Sequence, residues 1–144
     1  MATQRALEHC VSDAIQEIKR QVRRIRQSHP NVKHRIQDYP AMVVACGYKR
    51  SGAVFWGQSA SPVNLQYEQP IKKRLEALAP IGEKRKECNN VIGACAEPHA
   101  ANQVVKTFPG CNMKELQFSS AYRPRTAQRK KYCQNCKETF YEVL

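Results

Sequence analysis

A chain of 144 residues has the size of one domain, and 42% hydrophobic against 25% charged residues is a globular composition rather than a disordered one. Lys and Arg total 24 against 12 acidic residues, so the net charge of +12 (isoelectric point about 9.6) attracts polyanions, with nucleic acid first among them, and repels cationic partners. No apolar run approaches the roughly 18 residues of a membrane span, and residues 1–8 lack the apolar core of a signal peptide. No membrane partner is expected. The cytoplasm or nucleus is the expected location, with delivery as an effector left open.

Residues 3–29 predict an amphipathic helix, because Leu7, Val11, Ala14, Ile18, Val22 and Ile25 recur at three- and four-residue steps on one face. Between them stand Arg5, Lys19, Arg20, Arg23, Arg24 and Arg26, which read as a solvated face. His29-Pro30 closes the segment, since the residue before proline disfavours the helical region. Residues 40–48 are apolar and β-branched, Ser51-Gly52 is a turn signal, and residues 53–59 form a second apolar run, so a β-hairpin is predicted. Cys46 in its first strand reads as a small core residue.

Residues 60–92 are interrupted by Pro62, Pro70, Pro80 and Gly82 and read as a long connection, with one short helix within 67–78 on Ile71, Leu75 and Leu78. A helix over 98–108 turns Ala100, Ala101, Val104, Val105 and Phe108 inward and ends at Pro109-Gly110. Residues 113–122 predict a strand with Leu116, Phe118 and Ser120 on one face. Residues 123–131 carry five cations and no acid and read as a basic loop; residues 133–144 begin a last short helix. The order is a single mixed α/β domain over 1–144, with an N-terminal helix in 1–30 and the layered remainder in 40–144.

Seven cysteines at 10, 46, 88, 95, 111, 133 and 136 are odd in number and irregularly spaced, and no secretory signal accompanies them. Metal binding with a few buried thiols is therefore expected ahead of a disulfide framework. Cys133-Gln-Asn-Cys136 opens one helix and Cys95 precedes another. Helix N-termini favour thiolate, and three cysteines leave a fourth metal position open, as in catalytic rather than closed structural sites. Glu97, two residues past Cys95, can reach that position without being a ligand. The alternatives are a closed four-cysteine zinc site recruiting Cys88 or Cys111, and a site that draws in His99, which otherwise reads as a polar first-turn residue.

Cys95-Ala-Glu97-Pro98 followed by Cys133-x-x-Cys136 resembles the signature of the zinc-dependent cytidine deaminase-like superfamily, in particular the toxin-type branch of bacterial polymorphic toxins called YwqJ-like. The resemblance runs from about residue 40 to the end, and the order hairpin, motif helix, strand, Cys-x-x-Cys helix agrees with it. It implies a three-layer α/β fold, one Zn²⁺ per chain on Cys95, Cys133 and Cys136, and Glu97 as the proton shuttle of a hydrolase that deaminates cytosine or adenine. DNA deamination, RNA editing or toxin action would follow, with an immunity or inhibitor protein as partner in the last case.

Tyr132 stands where the family has proline. The chain ends at Leu144, where the family fold continues with two more strands, so a minimal mixed sheet of about three strands is expected, shielded by the first helix or by a homo-oligomer. Asn64 is the nearest counterpart of the family's sugar-contacting Asn. Trp56, Tyr67, Tyr122 and Tyr132 are aromatic candidates for base stacking, and Arg123 and Arg125 for phosphate. Cytosine in DNA or RNA is the first substrate reading; free nucleosides or nucleotides, or a non-catalytic zinc-containing module that binds nucleic acid, are the alternatives.

Overall fold

Thr3 starts the first helix by accepting a hydrogen bond from the Ala6 amide at 3.0 Å, which satisfies one of the free amides of helix α1 (Gln4–Ser28). This computed structural model describes residues 3–63 and 65–144. The expected stripe is buried from Leu7 to Val22, with Ile15 added, but Ile25 is 58% exposed. The reason is length: 25 helical residues span about 37 Å, whereas the six-residue strand beneath spans about 20 Å, so the last turns overhang the sheet.

Strands β1 (Val43–Tyr48) and β2 (Val54–Gln58) form the predicted antiparallel hairpin. Alternate residues of β1 serve two cores. Val43 and Ala45 pack with α1, whereas Val44, Cys46 and Tyr48 join the core that contains Ile71 and Leu75 of α2 (Gln69–Glu76) and Ala100 and Val104 of α3 (Ala96–Thr107). A central strand covered on both faces must be apolar throughout, which is why it lacks alternation. The sheet thus lies between helical layers. Gly57 of β2 sets the spacing on the α3 side: a Cβ there would stand 2.4 Å from the Ala100 amide nitrogen and 2.8 Å from the Ala96 carbonyl oxygen.

The sheet has five strands with antiparallel pairing, where a mixed sheet of about three was expected. Residues 113–122 divide into a 3₁₀ turn (Met113–Glu115), β3 (Leu116–Phe118) and β4 (Ala121–Tyr122), both along the same edge of β1. Ser119 bridges the break: its amide donates to the Ala45 carbonyl at 2.9 Å and its Oγ accepts from the Ala45 amide at 2.9 Å. The irregularity shifts the side-chain alternation, so Ala121 rather than Ser120 follows Leu116 and Phe118 into the core.

The basic segment is not an open loop. The Arg123 amide bonds to the Gln128 carbonyl, Ala127 takes a positive φ of 59°, and β5 (Arg129–Lys130) folds back on β4. Helix α4 (Gln134–Thr139) follows, anchored by buried Phe140 against Phe118 at 5.0 Å between ring centroids. Arg74 of α2 holds α4 by bonding the Thr139 carbonyl and both Glu142 carboxylate oxygens, the latter at 2.6 Å. No helix among the described residues is long and apolar enough to cross a membrane.

Candidate metal centre

Cys95 is the N-cap of α3 and Cys133 the N-cap of α4, with Cys136 one turn into α4. Two helix N-termini therefore converge, and their dipoles lower the cost of thiolate there. The Sγ atoms of Cys95 and Cys133 are 3.4 Å apart, those of Cys133 and Cys136 3.5 Å, and all three lie within 4.8 Å of one another. A disulfide requires about 2.0 Å, and a tetrahedral ion with bonds of about 2.3 Å to sulfur spaces its sulfurs by about 3.8 Å. The triangle is close to that size, so these three cysteines can hold a metal ion. Neither Cys88 nor Cys111 joins the group among the described residues, so three sulfurs rather than four stand together here.

Hydrogen bonds from the Cys136 and Cys95 thiols hold the Cys133 thiol far below its ordinary value. The same sharing with Cys133 pushes Cys95 and Cys136 up. Thiolate character thus concentrates on Cys133, and a divalent cation would stabilise the other two sulfurs as thiolates as well. Glu97, in the first turn of α3, is 4% exposed and forms no ion pair among the described residues. Burial pushes its carboxyl up to about 7.

The loop before Cys95 is fixed from behind. Gly93 takes a positive φ of 85°, and its carbonyl accepts from the Tyr67 hydroxyl at 2.6 Å and from His99 Nε2 at 3.0 Å. His99 is therefore a support for the loop, outside the sulfur cluster, and burial lowers its pKa. Tyr67 likewise packs in the core with its hydroxyl engaged; burial raises its pKa. On the α4 side, Asn135 donates to the Asn90 carbonyl at 3.0 Å and accepts from Arg85 Nε at 2.7 Å, and Arg85 also meets Glu138. The sequence offered no periodic signal for Tyr67, Asn90, Asn135 or Arg85 as supports; only the position of Asn135 between the paired cysteines hinted at one.

A cleft of about 780 Å³ opens on Cys95, Glu97 and Cys133, and Cys136 lies behind it, 1% exposed. Arg123 and Arg125 line this cleft, as do Lys84, Lys130 and Lys131. Tyr67 does not, nor do three other predicted contacts. Trp56 pairs with Ala45 on the α1 side of the sheet. The Tyr122 hydroxyl donates to Glu8 of α1 at 2.8 Å. Tyr132 packs against the core with its hydroxyl donating to the Ser119 carbonyl; burial, with the Glu97 charge nearby, pushes its pKa up to about 12. Trp56 and Tyr122 sit on strands whose alternation directs them to the α1 side, whereas Tyr132 is held in the core by its hydroxyl bond. Asn64 lies outside the described residues. Tyr39, from a stretch that the sequence pattern left unassigned, and Met42, from the predicted first strand, also line the cleft.

Comparison with protein-family models, with curated proteins and with solved structures finds no match to this chain.

Proposed function

We propose that the protein is a zinc-dependent hydrolase that deaminates a nucleobase, cytosine to uracil in DNA or RNA. The observation that carries this reading is the meeting of the three cysteine sulfurs beside the buried Glu97 carboxylate at the floor of a cation-lined cleft. Cys95, Cys133 and Cys136 would hold the zinc, which supplies the Lewis acidity that makes water nucleophilic at neutral pH. Glu97 would carry one proton of the attacking water to the ring nitrogen N3, and the second, from the hydroxyl then on C4, to the departing amine. A C4–O bond forms, the C4–N bond breaks, and ammonia leaves. The wall cations hold phosphate and orient the base toward Glu97. The motif Cys95-Ala-Glu97 with Cys133-x-x-Cys136, in the order hairpin, motif helix, strand, second motif helix, adds the family resemblance to this support.

The test incubates the metal-loaded protein with single- and double-stranded DNA and RNA and reads base conversions by sequencing, with cytidine and its triphosphate assayed in parallel. Conversion of C to U that disappears in Glu97→Gln supports the reading. Turnover of cytidine alone would move the substrate to free nucleosides. The absence of conversion on every substrate would leave a zinc-containing module without this chemistry.

A further inference from the structure

A second cleft, of about 460 Å³, lies between the C-terminal half of α1 and residues 30–39. Lys19, Arg23 and His34 line it, and no acidic residue does. Tyr39 lines both this cleft and the one above the cysteines, so the two adjoin across a single aromatic ring. That ring is fixed: Arg26 lies over it at 5.4 Å, and Arg26 in turn bonds Asp38 and the Arg35 carbonyl.

The charges of this combined surface are unspent. Apart from Arg26, none of the Lys or Arg residues lining the two clefts forms an ion pair among the described residues. Outside these linings, Arg50, Arg74 and Arg85 each meet a carboxylate. Exposed lysines such as Lys49 and Lys106 form no ion pair among the described residues either, so what sets the cleft cations apart is their grouping along one groove. Glu97 is the single acid in either lining, and it sits at the floor. Cations left unpaired along a groove, with an aromatic ring between them, suit the charged backbone and exposed bases of a single strand.

We propose that the α1 cleft is a secondary binding site for the phosphodiester backbone of single-stranded DNA or RNA, continuous past Tyr39 with the cleft above Cys95 and Glu97. This rests on the nucleic-acid reading of that cleft and specifies it: a single nucleotide would occupy the first cleft only, whereas a strand would engage both. Lys19 and Arg23, which the sequence pattern placed on a solvated face, then bind phosphate several nucleotides from the reacting base.

The experiment measures binding of labelled single-stranded oligonucleotides by fluorescence anisotropy, with a trinucleotide compared with a strand of about twenty nucleotides. Lys19→Glu combined with Arg23→Glu is set against Lys49→Glu combined with Lys106→Glu, an equal charge change at exposed positions outside both clefts. At about 0.1 M salt the first pair should weaken the long strand roughly tenfold or more and lower the log–log salt slope by about 1.4, two single-strand phosphate contacts. Trinucleotide binding should stay within about twofold, and the control pair should cost the long strand no more than about twofold.

Equal losses from both pairs, or equal losses for long and short strands, would overturn the proposal. So would an acidic polypeptide that binds as tightly and loses the same factor, since the groove would then belong to an acidic protein. Thermal melting checks the fold of each variant, and Arg23→Gln alone should give a smaller loss in the same direction. The two readings fail separately. Length-dependent binding without base conversion keeps the groove and removes the deaminase, whereas deaminated cytidine without strand binding does the reverse.

Discussion

On the α1 side of the sheet, Leu7, Val11, Ala14, Ile18 and Val22 meet Val43 and Ala45 through side chains alone, in a regular stripe. On the opposite side, α3 touches β2 through backbone at Gly57, and the loops leading into α3 and α4 are held by hydrogen bonds to carbonyls. The first side is apolar packing, which tolerates changes of shape at the cost of stability. The second is a scaffold whose every bond places a sulfur. Damage to the two sides should therefore separate: loss of stability with the metal kept on one, loss of metal on the other.

The largest effect expected is on the second side. Cys133→Ala should reduce zinc from one equivalent per chain to well below it, measured by elemental analysis, and abolish base conversion. Glu97→Gln should keep zinc and fold while lowering turnover by about 10²–10⁴-fold, the usual worth of a general acid–base group. A variant that converted bases normally would remove Glu97 from the reaction.

The sharpest contrast pairs two structural variants. Leu7→Ala should cost about 2–5 kcal/mol in chemical denaturation, as for buried leucines elsewhere, yet retain a full equivalent of zinc in the folded protein. Gly57→Ala should cost about 1–3 kcal/mol through overpacking and also weaken zinc binding, because its Cβ meets the backbone of α3 and must displace the helix that carries Cys95. If both variants held zinc equally well, the two sides would not differ as described.

A smaller effect concerns pH. Hydrogen bonds from Arg74 hold the Glu142 carboxyl below its ordinary value. A depressed folded value means the pair stabilises fully above the unfolded carboxylate range, near pH 4.3, and that this contribution fades as pH falls through the folded value. Glu142→Gln should thus cost about 1 kcal/mol at pH 7. It should also flatten the acid limb of a stability–pH curve, read by melting at a series of pH values. Cys88→Ser and Cys111→Ser should have the least effect, leaving zinc content unchanged, since neither thiol reaches the cluster.

Much of the α1 side could be read without coordinates. A three- and four-residue apolar step is a local property of the chain, and so, elsewhere in the fold, are the hairpin turn and the helix stop at Pro109-Gly110. The cysteine and glutamate positions also stood out by local spacing. Local pattern misread residues 113–131, where a serine side chain replaces a ladder contact and a left-handed Ala127 closes a hairpin within a charged run.

The sequence by itself determined the helices, the central hairpin and which cysteines stand at helix starts, because each depends on neighbours a few residues apart. Only the tertiary structure decided that Cys95 and Cys133, 38 positions apart, meet at 3.4 Å, that Trp56 and Tyr122 turn toward α1, and that two cation-lined clefts join at Tyr39. Those outcomes depend on how closely α3 lies on Gly57 and where Ser119 shifts the strand. A close approach or a register shift is settled by packing between distant segments, for which the linear pattern carries no period.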